Sequence, residues 1–236
     1  MAVLERELVD ALFVKRWSIV RTLMPQSVAE HSFLVAHYAN DICTYLGVDK
    51  DLHLAVLQYA LWHDMDEQFT GDLPGPNKRG LLEAIGPDAK SKWDARLKTW
   101  TDRVFDNALE RSGGKLGPKD AVTLLLVVKT ADWLEAAVRM ATEDQMGNRC
   151  ATRHIVPNRD GARDCAAKLC HHLFEVPIYV DEIPHNPGLG QQTFNELDEM
   201  IIRCVNDAQH GQSRGPWITG EDDDRVFDPA LGDREA

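Results

Sequence analysis

Basic residues are scarce in this chain, and the shortage narrows its partners before any motif is considered. Lysine and arginine number 26 against 38 aspartates and glutamates, a formal net charge of −12 over 236 residues. Such a surface repels a phosphate backbone and shows no basic stripe, which argues against a nucleic-acid polymer as partner. A small anionic substrate stays compatible, since a bound cation and a few local Lys or Arg reverse the sign within a pocket. Cysteines are also few and odd in number, Cys43, Cys150, Cys165, Cys170 and Cys204, with no CxxC pair. That composition excludes a disulfide framework and a zinc ribbon and fits reduced thiols. No apolar run reaches membrane length, and Met1-Ala2-Val3-Leu4-Glu5-Arg6-Glu7 is too charged for a secretory signal, so no membrane partner and a cytoplasmic location are expected. No internal repeat is visible.

What remains is an ordinary globular composition, 44% hydrophobic and 27% charged, long enough to bury a sizeable core. Residues 1–210 are expected to form a single domain. Residues 211–236, rich in Gly, Pro and Asp and containing Glu221-Asp222-Asp223-Asp224, are expected to be an acidic, flexible tail.

Apolar spacing points to helices throughout. Leu4, Leu8, Val9, Leu12 and Phe13 suggest a short amphipathic helix over residues 3–14. Ser27-Val28-Ala29-Glu30 is a capping-box pattern, so a helix should start at Ser27 and run to about Leu46, before Gly47. Asp49 or Asp51 can cap the next helix, which carries Leu52, Ala55, Val56, Tyr59, Ala60 and Trp62 up to His63. Phe69 to Arg79, with two glycines and two prolines, reads as a rigid loop. A charged helix with Trp93, Leu97, Trp100, Val104, Phe105 and Leu109 is expected next, over 88–111. Lys119 to Met146, with Leu124-Leu125-Leu126-Val127-Val128, is apolar nearly all round and reads as the central buried helix. Further helices are expected over 160–175 and 193–209, with a proline-containing loop between them.

The chemistry is concentrated in Trp62-His63-Asp64-Met65-Asp66-Glu67. An imidazole beside a carboxylate is a mixed nitrogen and oxygen donor pair suited to a divalent ion such as Mn, Fe, Co or Zn. If the helix continues, Glu67 lies within roughly 40° of His63 around the axis and shares its face. The pair gains weight from His31 and Asp132, polar groups inside strongly apolar helices, where an unpaired polar group costs a few kcal/mol. One shared ion satisfies all four. For His31 alone, a hydrogen bond to a backbone carbonyl is the other explanation, and for Arg16-Trp17 it is a loop indole packed on the core beside a snorkelling guanidinium. His37 and His53 are taken as structural, and His154, His171, His172, His185 and His210, which show no ligand spacing, as surface or packing residues.

With these residues in view, the chain resembles the HD-domain phosphohydrolases, whose H…HD…D pattern is matched by His31, His63-Asp64 and Asp132. Arg16-Trp17, Ser27-Val28-Ala29-Glu30-His31-Ser32, Glu67 and Thr70-Gly71-Asp72-Leu73-Pro74 resemble the YfbR-like 5′-deoxynucleotidase branch, over roughly residues 12 to 140. The resemblance implies an all-α helical bundle with a central buried helix around a metal site. It implies one divalent ion, Co, Mn, Mg, Fe or Zn, held by His31, His63, Asp64 and Asp132, and removal of the 5′-phosphate from deoxyribonucleoside monophosphates. Glu67 would be the acid/base residue, and Asp72 would help orient substrate near the 3′-hydroxyl. Arg16 and Trp17 would line the sugar and phosphate side, with the indole excluding a 2′-hydroxyl, and Lys78 would neutralise phosphate. A homodimer is common among such relatives. Two alternatives stay open: a deoxynucleoside triphosphohydrolase of the dATP type, with Arg21, Lys78 and Arg79 as sources of further positive charge, and a non-catalytic nucleotide-binding HD domain.

Overall fold

The computed structural model describes residues 12–18, 20–64, 67, 71–72, 80–81, 83–84, 86–88, 91–92, 95, 106, 116–180 and 188–211. Five long helices account for most of them: α1 Val28–Leu46, α2 Lys50–Trp62, α3 Pro118–Gln145, α4 Thr152–Phe174 and α5 Leu189–Gln209. The fold is all-α; among the described residues there is no strand, and one antiparallel bridge joins Lys15 to Ser27. None of the helices is long and apolar enough to cross a membrane.

Local chemistry sets the helix ends. The Ser27 hydroxyl accepts from the Glu30 N–H at 3.1 Å while the Glu30 carboxylate accepts from the Ser27 N–H at 2.7 Å, closing the capping box. α1 stops at Gly47, whose φ of +62° is the left-handed conformation that glycine takes without a Cβ clash. The Asp49 carboxylate accepts from the N–H groups of Asp51 and Leu52 and starts α2. Pro118, in the first turn of α3, costs that helix nothing because its missing N–H has no partner there anyway.

α3 packs against each of the other four helices. Leu124, Val127, Ala131, Leu134, Ala137, Met140 and Ala141 are its buried apolar residues, and a side chain such as Leu124 contributes about 1.5–3 kcal/mol on leaving water. They meet Val35, Ala39 and Ile42 of α1, Val56 and Tyr59 of α2, Ala166 and Leu169 of α4, and Phe194 and Leu197 of α5 in one core. The helix is not buried all round, as its composition suggests: Val122 and Leu125 are 41% and 44% exposed, because four neighbours leave one strip of the cylinder facing solvent.

Other boundaries also depart from expectation. α4 begins at Thr152, eight residues earlier than its apolar spacing indicates, and carries Pro157 inside. Gly161 permits this helix to lie against α3, since a Cβ there would stand 2.7 Å from the Trp133 indole. α5 starts at Leu189. The helix expected over 3–14 falls mostly outside the described residues, and Leu12 and Phe13 form a turn. Most of the segment 88–111, the loop from Leu73 to Arg79, His185 and the tail beyond Gly211 also lie outside them.

The segment 14–26 is a strap across the N-terminal side of α1, and α3 holds it down through polar contacts. Glu143, fully buried, accepts from the N–H groups of Leu23 at 2.6 Å and Met24 at 3.0 Å and from the Asn148 side chain at 2.8 Å, while Asn148 also donates to the Arg21 carbonyl. Burial works to raise the Glu143 value, but these donors and Arg139 outweigh it and hold the carboxyl below its usual 4.5. A lowered carboxyl value stabilises the fold above the ordinary range, and that contribution is lost as pH falls through the folded value. Glu143→Gln should therefore cost about 1–3 kcal/mol at neutral pH and flatten the acid limb of the stability curve; denaturant melts from pH 7 to pH 3 measure both.

Candidate metal centre

Three elements bring the donors together. His31 lies one turn into α1 and is fully buried; His63 is the C-cap residue of α2, with Asp64 next to it; Asp132 lies midway along α3. One donor atom from each lies within 4.8 Å of the others. The His31 Nε2 is 3.3 Å from Asp64 Oδ2 and 3.3 Å from Asp132 Oδ1, and the His63 Nε2 is 3.4 Å from Asp64 Oδ2.

Both imidazoles are oriented from behind. His31 Nδ1 bonds to Glu135 Oε2 at 2.7 Å, and His63 Nδ1 to the Ala60 carbonyl at 2.8 Å. A hydrogen bond to an acceptor puts the proton on Nδ1 and leaves the Nε2 lone pair facing the cluster. Both Nε2 atoms are buried without a hydrogen bond of good geometry. Two imidazole nitrogens and two carboxylate oxygens this close to one another are a donor set that can hold one divalent ion.

The surrounding charge points the same way. Asp64, Asp132, Glu135 and Glu67 all act on the Arg16 guanidinium, which they hold above its usual value against the effect of burial. Lys129 Nζ lies 2.6 Å from Asp132 Oδ2, with its side chain 55% exposed. Among the described residues four carboxylates thus face two fixed cations, and the excess of two negative charges is what one divalent ion balances. Without the ion a proton does part of that work. Burial and Arg16 push the His31 value down, yet Glu135, Asp132 and Asp64 outweigh them and hold it well above 6.5. Burial likewise works to raise Asp64 and Asp132, but the two histidines, and for Asp132 also Lys129, hold both below the usual carboxylate range.

Arg16 and Trp17 sit at the rim of the cluster. The Arg16 Nη1 is 3.6 Å from Glu135 Oε2 and its Nη2 is 4.0 Å from Asp132 Oδ1, while Nε and Nη1 are buried without hydrogen-bond partners. Trp17 has a φ of +62°, a strained conformation for a bulky residue that costs of order 1–3 kcal/mol. Asp72 holds it there, its Oδ2 accepting from the Trp17 N–H at 2.5 Å and its carbonyl from the Ser18 hydroxyl at 3.0 Å. Asp72 is therefore a support of the strap, a contact its position in a Gly-Asp-Leu-Pro loop did not indicate.

Glu67 reaches the same neighbourhood by another route than a continued helix. α2 ends at Trp62, His63 and Asp64 form a turn, and Glu67 is helical again beyond it, its N–H donating to the Asp64 carbonyl at 3.0 Å. Its carboxylate is one of the four that act on Arg16. Lys78 and Arg79 lie outside the described residues, and Arg21 is solvent-exposed, with its carbonyl bound by Asn148. Among the other histidines, His37 is 3.6 Å from Asp41 and His53 bonds to Asn40, as structural residues do. His171, His172 and His210 bond to backbone carbonyls. His154 packs against Trp17, their ring centres 6.4 Å apart, so it is a neighbour of the rim.

Gln26, Lys129 and Glu135 do not stand out in the sequence. A signal existed for Glu135, which is three residues from Asp132 on the same buried helix face. None existed for Gln26, which reaches the cluster only because the strap folds back along α3.

Titrating the purified chain with zinc should give one site per chain, and Asp132→Asn should weaken it by at least ~100-fold. Because a proton on His31 competes with the ion, affinity should rise with pH through the raised His31 value. Isothermal calorimetry at several pH values measures stoichiometry and trend together.

Comparison with known proteins bears on this arrangement directly. The profile of the family described as 5′-deoxynucleotidase YfbR-like matches residues 7–155. A dATP triphosphohydrolase of Acinetobacter phage SH-Ab 15497 is 39% identical over 211 residues, covering 85% of this chain and 95% of that protein. The dATP triphosphohydrolase of Salmonella phage PMBT28 is 35% identical over 143 residues, 58% of this chain, and the match spans 65% of that protein's length. A 5′-deoxynucleotidase of Pasteurella multocida is 39% identical over 70 residues, 28% of this chain and 35% of that protein. Among solved structures, the cyanophage S-2L HD phosphohydrolase DatZ, bound to dA and one catalytic Zn2+ ion, shares the fold, with a TM-score of 0.52, 20% identity and coverage of 86% of this chain and 96% of that one. The profile match takes in all four clustered donors, and the chain belongs to the YfbR-like 5′-deoxynucleotidase family of HD phosphohydrolases.

Proposed function

We propose that the chain is a metal-dependent phosphohydrolase that cleaves the bond between the 5′-oxygen and the first phosphorus of a deoxynucleotide, acting on dATP and releasing triphosphate. The observation that carries the chemistry is the convergence of His31, His63, Asp64 and Asp132 within 4.8 Å. Support for a triphosphate substrate comes from the Acinetobacter phage dATP triphosphohydrolase, to which the similarity extends along most of both chains. A second reading, removal of a single phosphate from a deoxynucleoside monophosphate, is favoured by the family profile and by the shorter match to the Pasteurella nucleotidase. Both break the same bond and differ in the length of the anionic chain beyond it.

A divalent ion in the cluster would supply Lewis acidity toward a phosphoryl oxygen and a nucleophile at neutral pH. Arg16, with Nε and Nη1 buried beside the cluster and without hydrogen-bond partners, is placed to donate to the equatorial oxygens, where charge is spread in the transition state. Glu67 is assigned the proton transfer. It takes a proton from the attacking water and returns one to the leaving 5′-oxygen, so that hydroxide ends on phosphorus and the deoxynucleoside leaves neutral. Trp17, fixed by Asp72, forms the wall against a 2′-hydroxyl. Lys129, exposed beside Asp132, and Lys78 in the Gly-Asp-Leu-Pro loop are candidates for charge beyond the first phosphate.

The deciding experiment incubates deoxy- and ribonucleoside mono-, di- and triphosphates with the chain and Zn, Mn, Co or Mg, and identifies the product by 31P NMR. Triphosphate from dATP is the expected outcome. Orthophosphate from deoxynucleoside monophosphates alone would select the second reading, and no turnover with any ion would leave a binding domain. Glu67→Ala should lower kcat by about 10² or more while metal content stays the same. Trp17→Ala should admit ribonucleotides; an unchanged deoxy-to-ribo ratio would remove the indole from specificity.

A further inference from the structure

The side chain behind His31 does more than orient it. Glu135 Oε2 meets His31 Nδ1 at 2.7 Å, and Glu135 Oε1 accepts from Gln26 Nε2 at 2.6 Å. The Gln26 Oε1 in turn accepts from the Trp17 indole N–H at 3.2 Å. Glu135 and Gln26 are 1% and 3% exposed, so water offers no substitute partners.

The direction of every bond in this chain of contacts is fixed by its ends. The indole N–H can only donate, so the Gln26 oxygen must face it. The Gln26 NH2 then faces Glu135, which as a carboxylate can accept on both oxygens at once. The second oxygen therefore takes the His31 Nδ1–H, so Nε2 is the nitrogen that faces the cluster and can offer its lone pair to an ion. Glutamine at 135 breaks this order, because one of its two ends is a donor and would face either the Nδ1–H or the Gln26 amide. The same carboxylate also lies 3.6 Å from Arg16 Nη1. The link joins two functions that the fold could have kept separate, a metal ligand on α1 and a recognition side chain on the strap.

We propose that Gln26 and Glu135 are positioning residues that couple His31 to the indole of Trp17, so that ion binding sets the pose of the side chain assigned to sugar recognition. Its consequence for selectivity rests on the role given to Trp17 above; the coupling itself does not. Hydrogen-bonded chains of this kind transmit polarisation and orientation, since a change at one end alters the strength of the next bond. An ion drawing on the Nε2 lone pair makes the Nδ1–H more acidic and tightens the bond to Glu135.

The test uses zinc as the probe and two readouts that do not depend on turnover. In 15N-labelled protein the Trp17 indole N–H resonance, assigned by its loss in Trp17→Phe, should move on addition of zinc. In Gln26→Met, of similar volume but without the amide, that movement should disappear while one zinc still binds. Glu135→Gln should lower zinc affinity by about 10- to 100-fold, the usual effect of removing a partner behind a metal-bound histidine. The deoxy-to-ribo ratio in Gln26→Met should fall by about tenfold, the scale set by misplacing one positioning group. A Trp17 resonance indifferent to zinc in the unaltered protein, a movement retained in Gln26→Met, or unchanged zinc affinity in Glu135→Gln would each overturn the proposal. Should Glu135→Gln fail to fold, the resonance in Gln26→Met decides alone. A ratio that stays constant in Trp17→Ala, with the zinc-dependent movement intact, overturns the sugar assignment and upholds the coupling.

Discussion

The arrangement depends on one electrostatic constraint, an excess of negative charge gathered where water screens it only in part. Asp64, Asp132, Glu135 and Glu67 act together on Arg16, and among the described residues only Lys129 adds to its compensation. Carboxylates placed this way repel each other strongly in a medium of low polarity, and hydrophobic packing alone does not hold them together. Either a cation or protons on the histidines must enter. The raised His31 value and the lowered Asp64 and Asp132 values are two sides of that demand. A divalent ion would meet it more fully than a proton, since the cluster of His31, His63, Asp64 and Asp132 can offer it four donors at once.

The rest of the fold is shaped by having to hold such a cluster rigid. α3 touches every other long helix among the described residues, so Asp132 and Glu135 are carried by the helix at the centre of the described packing. α1 is fixed at one end by a capping box only one residue before His31 and at the other by Gly47. α2 terminates at the point where His63 is needed, and the freed Ala60 carbonyl at its last turn orients that imidazole. Helix ends supply carbonyls with no partner of their own, and here one is used to select a tautomer. Polar residues at intervals of three and four on α3, Asp132, Glu135, Arg139 and Glu143, form a stripe on which the strap 14–26 is bound. Asp132 and Glu135 face the cluster, and Arg139 and Glu143 hold the Leu23 to Met24 end. One helix face thereby carries both the proposed chemistry and its anchorage.

The residue pattern made much of this legible. Short-range signals worked where the chemistry is local: Ser27 and Glu30 cap α1, Gly47 ends it, and Asp49 starts α2. His63-Asp64 stood out as an adjacent nitrogen and oxygen donor pair, and His31 and Asp132 as polar groups in apolar helices that need partners; the structure brings those four together. What escaped is non-local or depends on exact chain reversals. The side-chain partner of Gln26 is 109 residues away, and Glu143 acts on backbone groups 119 and 120 residues away. Periodicity carries no trace of such pairs. An unbroken helix through Glu67 is not found either: α2 ends at Trp62, His63 and Asp64 form a turn that sets Asp64 against His31 of α1, and Glu67 is helical again beyond it.

The proposed substrate choice can be weighed on the same physical ground. In the proposed reaction the four donors and Arg16 would address a single phosphoryl centre, so they would bear on which bond breaks and be indifferent to any phosphates beyond it. A tail of two further phosphates adds negative charge that has to be met outside the cluster, in a chain whose net charge is −12. Lys129 is well suited to such a task. Its ammonium is tied to Asp132 at 2.6 Å, yet the side chain is half exposed and its Nζ lies 5.6 Å from the Trp133 ring centre, an attractive cation–π geometry. Asp132 holds this ammonium through Oδ2 while its Oδ1 faces the donor cluster, so the cation is fixed at the rim beside the ion site. A divalent ion near Oδ1 and the ammonium on Oδ2 would then share one carboxylate, and the outer phosphates of a longer chain would meet a positive charge fixed beside the first phosphoryl group.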